Sequence, residues 1–257
     1  MVWTTPTWIE IATLSKSYGE LRALNELSMT IGQGEVYGFL GPNGAGKTTT
    51  LRILMGTLVP SSGHARIRGL DCVKDRVEVK RQVGYVPDVP VFYDYLKGWE
   101  LLRFVGQMHG IEDALLAERA RLLLRELSLA DAADDFVTNY SLGMRKKMGL
   151  ALALIHDPEV LILDEPTTGL DPIAMRQVQA LIQSYSESGR TVLLSTHVLE
   201  MAQRLCHRVA IVHRGRLVAE GQPRDLLDRS STGADQQERT LEEIFLALTA
   251  ADSGAQS

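Results

Sequence analysis

Residues 160–171 have the sequence Val-Leu-Ile-Leu-Asp-Glu-Pro-Thr-Thr-Gly-Leu-Asp. The first four residues are apolar, which is typical of a short strand buried in a sheet. The strand ends in two acids, Asp164 and Glu165. Adjacent carboxylates at such a place are suited to holding a divalent cation and to polarising a water molecule. Two solvated acids at a strand end are the alternative interpretation.

A second stretch, upstream, predicts a site for phosphate groups. Residues 41–48, Gly-Pro-Asn-Gly-Ala-Gly-Lys-Thr, match the phosphate-loop pattern G-x-x-x-x-G-K-[ST]. The apolar residues 36–40 precede the loop, and residues 48–55 have helical spacing, so the required strand–loop–helix context is present. Glycines let backbone N–H groups approach a polyanion, Lys47 supplies positive charge, and the Thr48 hydroxyl suits Mg²⁺. With the two carboxylates, these residues predict hydrolysis of a nucleoside triphosphate.

Strand and helix patterns follow one another in an informative order. Strands come first, a helical insert follows, and strands then alternate with helices, which favours a largely parallel sheet. We therefore predict an α/β fold, with a P-loop NTPase core, an N-terminal antiparallel β subdomain and an inserted α-helical lobe. Strands are predicted at residues 9–11, 27–31, 36–40, 83–87, 160–163, 191–195 and 209–212, a hairpin arm at 63–69, and helices at 48–55, 99–129, 142–155, 173–185 and 198–205.

Composition excludes several other classes of protein. The net charge of −5 gives no reason to expect a nucleic-acid partner. The basic cluster at residues 145–147 is interpreted as a solvated helix face. Cys72 and Cys206 lack metal-ligand spacing, which favours a reducing compartment. No apolar stretch approaches 18 residues and the N-terminus has no signal-peptide pattern, so we expect another chain to supply any membrane span.

Three further motifs, in a fixed order, carry a family resemblance. Residues 140–144, Tyr-Ser-Leu-Gly-Met, resemble the signature usually written LSGGQ. Residues 169–171, Gly-Leu-Asp, resemble the D-loop, and residues 195–197, Ser-Thr-His, resemble the switch-histidine loop. With the two phosphate-site motifs, the chain resembles the ATP-binding subunit of an ATP-binding-cassette (ABC) transporter over roughly residues 8–228.

The resemblance implies a shared site between two subunits packed head to tail around two ATP molecules. Glu165 would polarise the attacking water, while Lys47 and His197 would act at the γ-phosphate. Thr48 and Asp164 would hold Mg²⁺. The implied ATP contacts are Tyr18 on the adenine, Gly41, Pro42, Asn43, Gly44, Ala45, Gly46, Lys47, Thr48 and Thr49 on the phosphates, and Ser141 and Gly143 from the other subunit.

Two departures from the family pattern stand out. The signature has Leu142 and Met144 where Gly and Gln are common, a variant that resembles exporter-type cassettes. Asp88 stands where the Q-loop normally has Gln, and an ionised Asp can only accept hydrogen bonds. We expect Asp88 to act through the Mg²⁺ shell or at the contact with a membrane subunit. A hinge residue of the lobe is the alternative.

The resemblance also implies a cellular role. It points to an ATPase of the type-2 ABC exporter or drug-efflux kind, at the cytoplasmic face of the membrane, peripheral through a polytopic permease subunit, and paired as a homodimer. Residues 91–93, Tyr95 and Trp99 are candidates for the permease contact, although packing within the lobe explains them equally well. The alternatives are a non-transport ABC ATPase in a soluble assembly and a binding module with a vestigial ATPase site.

The resemblance and the local sequence patterns also give expected domain limits. We predict an ABC-type ATP-binding domain over residues 8–228, with the helical lobe at about residues 89–157. Residues 229–239 are polar and predict a linker. Residues 240–249 have apolar side chains at helical spacing and predict a short helix. Residues 250–257 predict a disordered tail.

Overall fold

The computed structural model describes residues 6–229 together with Leu241, Glu243 and Phe245. Within these residues the strands form two sheets. The strands are β1 (Thr7–Tyr18), β2 (Leu21–Gly32), β3 (Val36–Leu40), β4 (Ser62–Ile67), β5 (Leu70–Asp71), β6 (Val83–Val86), β7 (Val160–Asp164), β8 (Thr191–Thr196), β9 (Arg208–His213) and β10 (Arg216–Gly221).

Helices follow most of the strands, and three of them form a lobe between β6 and β7. That lobe also contains short 3₁₀ turns at Ala130–Ala132 and Val137–Asn139. The helices are α1 (Lys47–Leu54), α2 (Arg76–Gln82), α3 (Gly98–Met108), α4 (Asp113–Glu126), α5 (Leu142–Leu154), α6 (Pro172–Glu187), α7 (Leu199–Leu205) and α8 (Pro223–Arg229). None of these described helices has the length and apolar character that a bilayer crossing requires.

The larger sheet brings the site segments to one edge. Its strand order is β10-β9-β3-β8-β7-β6, and every neighbouring pair is parallel except β10 with β9. Leu40, at the end of β3, pairs with Thr196, and Asp164, at the end of β7, pairs with Ser195. The carboxyl ends of three adjacent strands therefore meet, which is where ligands bind in open α/β sheets.

Alternate residues of the central strands enter two different apolar cores. Leu161 and Leu163 pack into the core that contains the lobe residues Leu101 and Met148. Ile162, between them, packs into the core that lies against the antiparallel sheet β2-β1-β4-β5. This period of two is the pleat of a strand buried on both faces. The central strands are therefore fixed from both sides, and the residues at their ends are held on a rigid support.

The α/β fold with a mostly parallel sheet, an antiparallel subdomain and a helical lobe is confirmed. The segment predicted as one helical region at 99–129 forms two helices, separated at Gly110, whose φ is +74°. The helices α2 and α8 and the strand β10 were not predicted. The predicted linker and tail lie outside the described residues. Of the predicted helix at 240–249, the structure describes Leu241, Glu243 and Phe245, all helical.

One surface prediction is wrong. The basic cluster at residues 145–147 is not a solvated face, because Lys146 is only 4% exposed and its neighbours are partly buried. The ammonium group of Lys146 instead lies near the backbone of Glu165 and the carboxylate of Asp88. A buried ammonium needs such polar partners.

Candidate active site

The phosphate loop between β3 and α1 depends on glycines at crowded positions. Gly46 has a φ of +104°, and a Cβ placed there would lie 2.6 Å from the Leu24 side chain. A Cβ on Gly41 would lie 2.5 Å from the carbonyl oxygen of Val212. Any larger residue would displace the loop. Because α1 begins at Lys47, its first N–H groups lack helical acceptors and are available to an anion.

Lys47 is buried and bends back onto the loop. Its Nζ donates hydrogen bonds to the carbonyl oxygens of Gly41 at 2.6 Å and Pro42 at 3.3 Å. The same nitrogen lies 3.7 Å from Oε1 of Glu165. Burial lowers the pKa of Lys47, and the carboxylates of Glu165 and Asp164 oppose that shift. The lysine charge is thus held at the mouth of the loop, close to both acids.

Thr48 and Asp164 form a pair of oxygen ligands. The hydroxyl of Thr48 donates to Oδ2 of Asp164 at 2.9 Å. Burial raises the pKa of Asp164, and the Thr48 hydrogen bond opposes that shift. Mg²⁺ commonly takes one or two protein oxygens and completes its shell with phosphates and water. The two oxygens of this pair fit such a shared Mg²⁺ site.

Glu165 has two carboxylate oxygens with different surroundings. Oε2 lies 2.9 Å from Nδ1 of His197 and accepts longer bonds from Thr196 Oγ1 and Thr168 Oγ1, both at 3.3 Å. Oε1 is buried and has no hydrogen-bond partner within the described part of the chain. It is therefore an unused acceptor, and a carboxylate with an unused acceptor can take a proton from a water molecule brought beside it.

These groups line one cleft of about 300 Å³. Tyr18 stands at its rim with 47% of its surface exposed. Gly41 and Ala45 belong to the loop but do not line the cleft. His197 does not line it either, and contacts Glu165, which does. Ser141 and Gly143 do not line this cleft. The lining residues are Tyr18, Leu21, Ala23, Pro42, Asn43, Gly44, Gly46, Lys47, Thr48, Thr49, Asp88, Asp164 and Glu165.

Ser141 has a different local role. Its hydroxyl accepts the N–H of Met144 at 3.3 Å and so caps the N-terminus of α5, as the sequence predicts. Ser141 is exposed, and Leu142 beside it is 52% exposed. The first turn of α5 therefore presents its N–H groups at the surface of the lobe, away from the chain's own phosphate loop.

Sequence reasoning missed Lys146 as a member of the site. Its Nζ donates to the carbonyl oxygen of Glu165 at 2.7 Å and lies 3.4 Å from Oδ1 of Asp88. A signal was present, because Lys146, Leu150 and Ala153 follow the i, i+4, i+7 spacing of one helix face. Leu150 and Ala153 are buried, so the lysine belongs to the same inward stripe.

Comparison with known proteins decides the family. The family model described as ABC transporter matches residues 24–168, more than half of the chain. This chain belongs to the ABC transporter family. Over 227 residues it is 39% identical to the Nod factor export ATP-binding protein I of Cupriavidus pinatubonensis, which covers 88% of this chain and 70% of that protein. It is also 39% identical over 215 residues to the bacitracin transport ATP-binding protein BcrA of Bacillus licheniformis, covering 83% and 69%.

A solved structure agrees with this assignment to the ABC transporter family. The structure described as the ATP binding subunit of an ABC transporter has a TM-score of 0.87 and 32% identity, over 95% of this chain and 100% of that one. The resemblance drawn from the motifs is confirmed. The chain is an ATP-binding, ATP-hydrolysing subunit of the ABC transporter type, and such subunits dimerise and pair with membrane components.

Proposed function

We propose that this subunit powers a membrane exporter. The observation that carries the proposal is the single cleft that contains the phosphate loop, the Thr48–Asp164 pair and Glu165, whose Oε1 is an unused acceptor. The direction of transport is supported by the relative named for Nod factor export. Residues 8–228 are proposed as the ATP-binding domain, with the helical lobe at about residues 89–157.

The proposed hydrolysis needs three actions from this chain. ATP binding exchanges the bonds of Lys47 to the loop carbonyls for bonds to the phosphates. Glu165 accepts a proton from water at Oε1 as the water oxygen attacks the γ-phosphorus, and ADP leaves with the bonding electrons. His197 donates a hydrogen bond to the γ-phosphate. Bound Mg²⁺ neutralises phosphate charge.

The proposed roles of the remaining residues concern binding. Tyr18, at the rim, stacks on the adenine ring, which contributes about 1–3 kcal/mol in comparable base–aromatic contacts. Thr48 and Asp164 hold Mg²⁺. Asp88 lines the same cleft, and its second carboxylate oxygen is proposed to act through the Mg²⁺ shell.

The site is proposed to be completed by a second copy of the chain. Ser141 and Gly143 lie outside their own cleft, yet Ser141 stands at a helix N-terminus, which favours negative charge. Head-to-tail packing of two copies would bring this terminus over the partner's γ-phosphate. ATP then binds the closed pair better than the open one, and hydrolysis reopens it.

A polytopic permease is the proposed second partner, holding the subunit at the cytoplasmic face of the membrane. The segment after Asp88 exposes apolar side chains, with Val91 at 85%, Tyr93 at 64% and Tyr95 at 91%. Trp99, at 37%, lies nearby. Exposed aromatic clusters of this kind are enriched at protein interfaces. The exposure of Val91 and Tyr95 supports an interface, whereas Phe92 packs on the core and Tyr93 contacts Phe104 within the lobe.

Purification of the full chain from its native membranes in mild detergent tests the proposal. Identification of the co-purifying proteins should reveal a polytopic membrane protein. Tyr95→Ser should reduce that recovery without changing the basal ATPase rate, because Tyr95 is almost fully exposed. Recovery of soluble partners alone would favour the alternative, an ABC ATPase in a soluble assembly.

A further inference from the structure

The backbone at Glu165 adopts an unfavourable conformation. Its φ is +47°, in the left-handed region that side chains with a Cβ rarely occupy. Such a conformation persists only where neighbouring contacts fix it, and it recurs at functional sites. Here it turns the chain directly after β7, and it sets the direction in which the Glu165 carboxylate leaves the backbone.

Two hydrogen bonds fix this turn from opposite sides. The N–H of Glu165 donates to the carbonyl oxygen of Ser195, in β8, at 2.9 Å. The carbonyl oxygen of Glu165 accepts from Nζ of Lys146, in α5, at 2.7 Å. The first bond comes from the core sheet and the second from the helical lobe. The peptide units on both sides of the Glu165 Cα are therefore restrained by different parts of the fold.

Lys146 is held in place by two partners. The residue is only 4% exposed, and its ammonium lies between the Glu165 carbonyl oxygen and the carboxylate of Asp88, 3.4 Å away. A buried charge without such partners would be strongly unfavourable. Asp88, 52% exposed along its side chain, is thus the counter-charge that lets an ammonium sit against Glu165.

We propose that Lys146 is a positioning residue for ATP hydrolysis, which holds the backbone of Glu165 so that its carboxylate meets the attacking water. This inference rests on the proposed role of Glu165. Lys146 does not line the nucleotide cleft, so it acts through Glu165 and not on ATP. Charge-assisted hydrogen bonds are stronger than neutral ones, which suits the ammonium to this task.

Steady-state ATPase measurements on the full chain test the proposal. Lys146→Gln should lower kcat at least tenfold and leave KM for ATP within about twofold, because the phosphate loop is untouched. Lys146→Arg, which keeps the charge, should recover at least threefold of that loss. The matched control is Lys147→Gln, which removes the same charge one residue further along α5 and should stay within about twofold of the native rate.

A double-variant comparison separates positioning from charge balance. Asp88→Asn, measured at saturating Mg²⁺, should lose less activity than Lys146→Gln, because the bond to the Glu165 carbonyl remains possible. The combined variant should be no more active than Lys146→Gln. Recovery of the combined variant towards the native rate would overturn the proposal, since Lys146 would then only neutralise Asp88.

Two further measurements are needed: the thermal stability of each variant and the ATPase rate of the native chain. Thermal unfolding should show each variant folded at the assay temperature, and Lys146→Met, with a side chain of similar length, replaces Lys146→Gln if that variant unfolds. Equal losses in the Lys146 and Lys147 variants, or a changed KM with an unchanged kcat, would contradict positioning. A native chain without ATPase activity would instead contradict the proposed function, whereas an active native chain with an equally active Lys146→Gln would remove only this inference.

Discussion

Oε2 of Glu165 and Nδ1 of His197 lie 2.9 Å apart, at the ends of β7 and β8. The two oxygens of the Glu165 carboxylate therefore have different partners. Oε2 faces the imidazole, and Oε1 lies 3.7 Å from Nζ of Lys47. Half of the His197 side chain remains exposed, at 53%. The imidazole is therefore free to turn towards a γ-phosphate, while Oε1 keeps its place beside the phosphate loop.

Replacing the carboxylate by its amide should stop turnover without stopping binding. Glu165→Gln keeps the shape of the side chain but cannot accept a proton, so the ATPase rate should fall about 10²- to 10⁴-fold. KM or Kd for ATP should change little, because Lys47 and the loop are intact. With ATP present, the variant should accumulate as a dimer in gel filtration with light scattering. Normal turnover, or a monomer at saturating ATP, would contradict the assigned mechanism.

The Thr48–Asp164 pair predicts a steep metal dependence. Asp164→Asn keeps a hydrogen-bond acceptor for Thr48 but removes the charge that attracts Mg²⁺. The Mg²⁺ concentration for half-maximal ATPase activity should rise at least tenfold, and chelation of Mg²⁺ should abolish activity in both proteins. Asp131→Asn removes an exposed carboxylate of the lobe that does not line the cleft, so it is the control and should leave the Mg²⁺ titration unchanged. An unchanged titration in Asp164→Asn would remove this residue from the metal site.

Two substitutions at Ser141 separate its cap from its proposed contact with the partner's nucleotide. Ser141→Ala removes the cap of α5 and should lower stability by about 1 kcal/mol. Ser141→Asp keeps a capping oxygen but places a negative charge towards the partner's γ-phosphate. Both variants should lose ATPase activity, while only the alanine variant should melt earlier. Full activity in the folded aspartate variant would argue against head-to-tail closure on Ser141.

Acid should weaken a stacked histidine pair in the lobe. His109 and His156 stack with ring centroids 3.9 Å apart, at the ends of α3 and α5. Burial, together with the neighbouring His109, lowers the pKa of His156 from 6.5 to about 4, with Arg81, Arg119 and Asp157 as the charged neighbours of the pair. Because the folded pKa lies below the unfolded one, the neutral pair stabilises the fold above pH 6.5, and that stability is lost as the pH falls towards 4.

Urea unfolding at pH 7.5 and pH 5 tests this effect. His156→Phe keeps an aromatic ring in the stack and removes the titrating group. The native chain should lose more of its free energy of unfolding between the two pH values than the variant does. An equal loss in both proteins would assign the acid sensitivity to other groups. His64 is not a suitable control, because it is partly buried and its Nε2 has no hydrogen bond in the described part of the chain.

Local patterns were sufficient for most of the fold. The apolar runs that became β3, β7 and β8 carry their own signal, and the residues at their ends are adjacent because parallel strands share a direction. Leu40 beside Thr196, and Asp164 beside Ser195, follow from that rule once the strands are recognised. The fold class, the phosphate loop and the capping role of Ser141 were therefore accessible from sequence.

Features that depend on tertiary contacts were not accessible. Lys146 stands between two other basic residues, and only the packing of α5 against the end of β7 makes it a buried partner of Glu165. The strand β10 is only partly buried, and its apolar residues 217–219 are flanked by Arg216 and Glu220, so its pattern is weaker than that of the fully buried central strands. The left-handed turn at Glu165 is equally invisible to propensity, because glutamate disfavours that conformation.

Ser141 caps helix α5, and Lys146 lies on that helix five residues later, about 7.5 Å along its axis. In a head-to-tail pair, one end of this helix would therefore touch the neighbour's nucleotide while its side holds the chain's own catalytic backbone. Because helix α5 contacts both sites, a change at one site would affect ATP hydrolysis at the other. The rate of hydrolysis in such a pair would then rise more steeply than linearly with the fraction of sites filled. The two sites would hydrolyse ATP cooperatively.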